Sequence, residues 1–197
     1  MTHPPDRLIL GSGSPRRRQL LDAAGYRFDV IVPSDAAEAG FDPEGVPPEQ
    51  LVVQLARRKA IDVAERIEGP AIVLGCDTVA ECDGRILGKP TDRDDARAML
   101  KSLSGQRHRV LSGLCICSMP SGEIKATFSE TILLMDPLTD EQIEGYLDSG
   151  QWEGKAGAFG YQDGIEWIHI EQGSESNVVG LPMELLAMLL TKVRGKS

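Results

Sequence analysis

The chain reads as an α/β protein, and three observations carry that reading. An apolar stretch, "RLIL", runs through "GSGS" directly into a helical segment; further apolar segments of strand length alternate with amphipathic segments of helix length; and two strand segments near the middle face each other across a turn. With 197 residues, 41% of them hydrophobic, the chain is long enough to bury a real core. No internal repeat, low-complexity segment or linker interrupts it.

The elements follow in order. After "RLIL", the segment "SPRRRQLLDAAG" predicts a helix with Ser14 as N-cap, Pro15 at the first helical position and Gly25 past the end. "YRFDVIVPS" predicts a second strand, and "DAAEAGFDPEGVPP" an irregular loop rich in acid, glycine and proline. A long helix covers "PPEQLVVQLARRKAIDVAERIEG", where Leu55, Val63 and Ile67 form an apolar stripe and Lys59 falls inside it. "AIVLG" is a nearly continuous apolar strand ending at "CDT", which puts Asp77 at its carboxyl end, and Asp83-Gly84 suits a tight hairpin turn. "TDRDDARAMLKSLSG" is a helix opened by a capping box of Thr91 with Asp94 and closed by Gly105. "HRVLSGLCICSM" and "EIKATFSETILLMD" form an antiparallel pair turned at "PSGE". A capped helix "TDEQIEGYLDSG", a glycine-rich stretch "GKAGAFGYQDG", a strand "IEWIHIEQG" and an amphipathic helix "GLPMELLAMLLTKVRG" complete the chain.

Composition narrows the partners. A formal net charge of -9 repels nucleic acid and anionic membrane surfaces at long range, so any anion must be held locally. The N-terminus lacks a basic region followed by a long apolar stretch, and no segment approaches the roughly 18 apolar residues that span a bilayer, so a cytoplasmic protein is expected. Cys76, Cys82, Cys115 and Cys117 show neither CxxC pairing nor histidines at zinc spacing; they read as reduced core thiols, the last two alternating like the buried side of a strand.

Against that acidic background, three arginines stand behind the "GSGS" turn. A helix N-terminus already carries unpaired N–H groups and a partial positive charge. Arg16 and Arg17 in its first turn oppose the dipole by roughly 0.3 to 1 kcal/mol each, which makes sense where an anion neutralises them. Arg18 points to solvent or pairs with Asp22 at i+4. The turn matches neither GxxxxGK[ST] nor GxGxxG.

Lys59 either snorkels past the core edge or aims its ammonium at phosphate oxygens, and Lys89 in "LGKP" invites the same two readings. Asp77 is placed for metal binding or proton abstraction, or for capping the strand end. Glu38 lies in a loop with Asp35 and Asp42, where solvated acid is the default. His3, His108 and His169 are too scattered for zinc, and no Gly-x-Ser-x-Gly elbow suggests a serine hydrolase. His108 reads as a structural residue at a strand start, and Trp152 and Trp167 as packing rather than base-stacking residues.

Taken together and in order, "LILGSGSPRRRQLL", "LARRKA", "LGCDTVAECDGRILGKPTDRDDARAMLKSLSGQRHRVLSG", "GKAGAFGYQ" and "GSESNVVGLP" resemble the signature blocks of the Maf family over about residues 7 to 190. That family comprises house-cleaning nucleoside triphosphate pyrophosphatases, some named for an effect on septum formation. The resemblance implies an α/β fold, with a long curved mixed β-sheet and flanking helices forming two lobes around a central cleft, in a single Maf-like domain over 1–197 that is related to the ITPases and assembles as a homodimer.

By matching position, the resemblance gives Ser14, Arg16 and Arg17 a grip on the triphosphate, with Lys59 and Lys89 completing a cationic wall. It makes Asp77 the catalytic aspartate followed by Thr78, and Glu38 the acid that closes the family's "S-D-x-D-E" loop; the two carboxylates would hold a divalent metal, Mg²⁺ with Mn²⁺ or Co²⁺ as alternatives. Hydrolysis between the α and β phosphates would yield nucleoside monophosphate and pyrophosphate. Lys155 and Gln162 resemble the subgroup acting on dTTP and UTP, and a side-chain amide that both donates and accepts suits the imide edge of a pyrimidine. Two alternatives stand beside this: the same chemistry on 7-methyl-GTP, and a non-catalytic nucleotide-binding regulator of septation. Ala37, Gly154 and Asp163 depart from the family pattern, where aspartate, aspartate and glycine are usual.

Overall fold

The computed structural model describes residues 7–194. In chain order its elements are β1 (Leu8–Gly11), α1 (Pro15–Ala23), β2 (Phe28–Val30), α2 (Pro48–Ala64), β3 (Ala71–Cys82), β4 (Arg85–Leu87), α3 (Arg93–Leu103), β5 (Arg107–Met119), β6 (Glu123–Met135), α4 (Asp140–Asp148), β7 (Ile168–Gln172), α5 (Glu175–Val179) and α6 (Met183–Arg194). The strands make one mixed sheet in the order β2-β1-β3-β5-β6-β7, with β4 paired to β3. β1 runs parallel to β2 and β3, whereas β3 with β4 and β6 with β7 are antiparallel. The chain separates into two compact units, the first ending at Asp77 and rejoined by Ser112–Ser129 and the segment from Gly180, the second made of Thr78–Leu111 and Glu130–Val179.

In the first unit β1, β3 up to Cys76 and residues 112–117 of β5 are buried on both faces, and side-chain parity assigns each residue to one. Ile72, Leu74, Cys76, Leu114 and Ile116 pack with Leu21 of α1 and Leu186, Leu189 and Leu190 of α6. Ala71, Val73, Cys115 and Cys117 pack instead with Ala56, Ala60 and Val63 of α2. The alternation of Cys115 and Cys117 therefore marks one of two buried faces. All four cysteines are free and buried, and burial raises the Cys115 thiol pKa to about 12, which keeps it unreactive.

Helix α2 departs from the sequence expectation. It ends at Ala64, and its buried face is Leu51, Val52, Ala56, Ala60 and Val63, while Leu55 and Ile67 are only half-buried. The reason is the closeness of its backbone to the sheet. A Cβ on Gly75 of β3 would strike the Ala56 carbonyl and lie 2.8 Å from the Ala60 nitrogen. A Cβ on Gly113 of β5 would strike the Val52 carbonyl and lie 2.7 Å from the Val53 nitrogen. Small residues line this contact because large ones do not fit, and Lys59 comes to its flank.

Strand β3 also corrects the expectation that it stops at Asp77. It continues to Cys82 because Ala80, Glu81 and Cys82 pair with Leu87, Ile86 and Arg85, closed by a turn with Asp83 at φ 50° and Gly84 at φ 76°. Asp77 and Thr78 thus stand mid-strand, the two positions of β3 that are not fully buried.

The second unit packs Ala96, Leu100 and Leu103 of α3 and Ile143, Tyr146 and Leu147 of α4 on Val110, Leu133, Met135 and Ile168 of the sheet. The cap of α3 falls one residue later than expected: the Asp92 carboxylate accepts from the Asp95 nitrogen at 2.8 Å, and Asp95 accepts in return from the Thr91 nitrogen at 2.9 Å. α4 opens with a capping box between Thr139 and Gln142. Helix α5 is a feature the sequence expectation lacks; it buries Asn177, whose amide donates to the Val110 carbonyl at 3.0 Å and Thr131 Oγ1 at 2.9 Å. Trp152 and Trp167 pack on this core, as expected. His3 and Gly195 lie outside the described residues.

His108 is buried beside the edge of Phe159, with ring centroids 5.3 Å apart. Burial lowers its pKa to about 4, so it is neutral at pH 7. Two predictions follow from these packing constraints. Gly75→Ala lifts α2 from β3 and costs about 2 kcal/mol or more in urea denaturation. The unfolded chain takes up a proton at His108 near pH 6.5 and the folded chain only near pH 4, so the fold loses about 3 kcal/mol as pH falls through that window. His108→Gln should remove that loss in denaturation measured at pH 7 and 4.5; an unchanged loss would assign it to another group.

Candidate active site

Side-chain parity turns Asp77 toward the α2 face, the same side as Val73 and Gly75. Because α2 sits directly on Gly75, Lys59 reaches across, and its Nζ donates to Asp77 Oδ1 at 2.5 Å. The same Nζ lies 2.7 Å from Glu38 Oε1. Lys59 and Asp77 side chains are each 15% exposed, whereas Glu38 is 57% exposed. Burial works against the Lys59 charge, but the Asp77 carboxylate, with help from Glu38, more than offsets it and raises the pKa above its ordinary value. The outcome is a cation clasped between two carboxylates. Lys59 therefore does not snorkel to bulk solvent.

The acidic loop that carries Glu38 is not free-floating. A 3₁₀ turn at Asp35–Ala37 precedes Glu38, and three residues at helical spacing, Arg58 and Asp62 on α2 and Arg66 just past its end, bind the backbone between Val32 and Ala39. Arg58 donates from Nε to the Ala37 carbonyl at 2.9 Å and from Nη2 to the Ala39 carbonyl at 2.7 Å, with Phe41 beneath its guanidinium. One turn on, Asp62 accepts from the Ser34 nitrogen at 2.9 Å and from its hydroxyl; a further turn on, Arg66 bonds Asp62 and the Val32 carbonyl. The hydroxyl of Ser34 holds Asp62 below the usual carboxylate range. These residues were not singled out from the sequence, although their i, i+4, i+8 spacing was visible.

The "GSGS" turn begins α1 as expected, with Pro15 first and Gly25 beyond the end, but Ser14 caps without a side-chain hydrogen bond. The buried hydroxyl of Ser12 accepts from the Ser14 nitrogen at 3.2 Å and from Arg17 Nη1 at 3.0 Å. Arg17 also donates to the Cys76 carbonyl and, through Nε, to the Gly180 carbonyl, both at 2.8 Å. It thereby ties the turn to β3 beside Asp77. Arg16 and Ser14 are half-buried at the same helix start, while Arg18 is exposed and makes no ion pair with Asp22 among the described residues.

In the second unit, Thr78 is half-buried on β3, and Lys89 and Gln162 are exposed. Lys155 is ion-paired to Asp163, with only 12% and 9% of their side chains exposed. The Tyr146 hydroxyl donates to the same Asp163 oxygen at 2.8 Å and accepts from the Gly160 nitrogen at 3.1 Å. A Cβ at Gly160 would collide with both charged groups, so the glycine is what lets the pair close.

The donor set at Asp77 and Glu38 fits a divalent cation. Mg²⁺ takes one or two carboxylates and leaves its other positions to water and phosphate oxygens, and these two carboxylates already converge on a positive charge. No group of three or more His, Cys, Asp or Glu gathers among the described residues, so the protein by itself forms no closed metal cage.

The family model described as Maf-like protein matches residues 7–193. The chain belongs to the Maf family. A dTTP/UTP pyrophosphatase of Rhodopirellula baltica is 54% identical over 94% of this chain and 82% of the relative. Another, from Caldanaerobacter subterraneus, is 39% identical over 96% and 90%. Among solved structures, a dITP/XTP pyrophosphatase of Mycobacterium abscessus aligns over 96% of each chain at 14% identity and a TM-score of 0.42.

Two of the departures in this Maf chain now have a physical setting. Ala37 is buried and offers its carbonyl to Arg58, so the usual aspartate position serves here as an anchor for the loop. Asp163 neutralises Lys155. Asp163→Asn should leave the Lys155 ammonium without its counter-charge and cost about 1 to 3 kcal/mol in chemical denaturation; no loss would show that Lys155 swings out to water instead.

Proposed function

We propose that this Maf chain hydrolyses dTTP and UTP between the α and β phosphates, releasing nucleoside monophosphate and pyrophosphate, and so serves to clear the nucleotide pool. The observation that carries this is the Lys59 ammonium held between Asp77 and Glu38, next to the turn that opens α1 with Arg16 and Arg17 in its first turn. The names of its dTTP/UTP pyrophosphatase relatives support the same chemistry.

In this reading Asp77 orients a water and takes its proton as the water oxygen bonds to the α phosphorus. The bond from that phosphorus to the bridging oxygen breaks, and its electron pair leaves with pyrophosphate. Ser14, Arg16 and Arg17 grip the triphosphate, and Lys59 and Lys89 take up charge on the leaving group. Asp77 and Glu38 would hold a divalent cation, Mg²⁺ with Mn²⁺ or Co²⁺ as substitutes, and the chemistry it would supply is neutralisation of phosphate charge and a lowered pKa for a bound water. The amide of Gln162 reads the pyrimidine imide edge, with Lys155 and Thr78 completing the substrate contacts. Homodimer assembly and a cytoplasmic setting belong to the same proposal; no helix among the described residues is long and apolar enough to cross a membrane.

Asp77→Asn should lower turnover of dTTP and UTP by at least about 100-fold while nucleotide binding persists. Pyrophosphate release with Mg²⁺ across dTTP, UTP, CTP and 7-methyl-GTP tests the whole reading. A preference for 7-methyl-GTP overturns the substrate, and undiminished turnover in the variant removes Asp77 from the chemistry.

A further inference from the structure

We propose that Arg58 is a positioning residue for Glu38, holding that residue's backbone so that its carboxylate meets Lys59 and Asp77. The proposal rests on the reading of Glu38 as part of the catalytic site. Glu38 is mostly exposed and lies on an acidic loop that contains two glycines at positive φ, Gly40 and Gly45; its nitrogen donates to the Asp35 carbonyl and its carbonyl accepts from the Phe41 nitrogen, both within the same loop. Arg58 grips the carbonyls of Ala37 and Ala39, which flank Glu38 on either side. The next residue along α2, Lys59, takes the Glu38 carboxylate. The two residues flanking Glu38 and the Glu38 carboxylate are therefore bound by two consecutive residues of one helix.

The planar guanidinium is suited to this work. Its fork directs two N–H groups at two carbonyls two residues apart while its face rests on Phe41, and a lysine ammonium offers neither the fork nor the flat face. Asp62 and Arg66 extend the strap to Ser34 and Val32, so the loop is pinned by two successive turns of α2 and by a residue just past its end. Lys59 in turn is fixed by Asp77. Loss of Arg58 removes the only member of the strap that bonds the residues adjoining Glu38 among the hydrogen bonds described above.

The test is a double-mutant cycle of Arg58→Ala with Glu38→Gln, read by turnover and by amide hydrogen exchange. Arg58→Ala should lower kcat about tenfold with KM for the nucleotide little changed, and should cost less than about twofold once Glu38 is already Gln. Exchange at the amides of Ala37 and Glu38 should speed up in Arg58→Ala while β3 and α2 keep their protection, which also verifies that the variant is folded. Arg58→Lys should recover only part of the rate. Equal losses in both Glu38 backgrounds, unaltered exchange in the loop, or full activity in Arg58→Ala beside an impaired Glu38→Gln would each overturn the proposal. If the unmodified protein turns over no nucleoside triphosphate, the functional reading fails separately, and the exchange experiment still decides whether Arg58 holds the loop.

Discussion

The site depends on how closely α2 lies on β3. Gly75 has no side chain, so the Ala56 and Ala60 backbone comes down onto the strand, and only then does the Lys59 ammonium reach Asp77 two residues further along. Parity does the rest. Val73, Gly75 and Asp77 share a face, and a shift of one residue in β3 would turn the carboxylate toward the α6 side. A glycine chosen for steric reasons thus fixes an electrostatic arrangement.

The cationic residues that the sequence groups together divide into different tasks in space. Arg17 spends two of its nitrogens on the Ser12 hydroxyl and the carbonyls of Cys76 and Gly180, joining the turn after β1 to β3. It therefore shapes the turn after β1 as well as charging it. Arg58 acts on backbone, Lys59 on carboxylates and Lys155 on Asp163, so these three cations have separate partners, whereas Arg18 and Lys89 are exposed.

Local signals were legible where local chemistry decides. Pro15 and Gly25 bracket α1, Asp83-Gly84 makes the hairpin, and Thr139 with Gln142 opens α4, because turns and caps are settled within a few residues. Asp77 was readable as a candidate site carboxylate but not as a mid-strand residue, since the strand is prolonged by pairing with β4. The Lys59 stripe misled for a related reason: the sheet selects the alanine face of α2, a tertiary preference that outweighs the larger apolar side chains. Arg58, Asp62 and Arg66 carried no expectation because their partners are carbonyls and a serine 19 to 34 positions away. Lys155 and Asp163 lie only eight residues apart, yet their closure required the path of the glycine-rich segment.

The routing of the chain has a consequence for its biosynthesis. Three of the four crossings between the compact units occur inside continuous strands, at Asp77, Leu111 and Ser129, and the first unit regains its last helix only after Gly180. Leu186, Leu189 and Leu190 cover apolar side chains that β1 and β3 place in the chain far earlier. Those strands emerge from the ribosome long before their cover does. Neither half can be cut out as one contiguous piece of gene, and a chain interrupted before α6 would leave the α6-facing surface of the strands open to water.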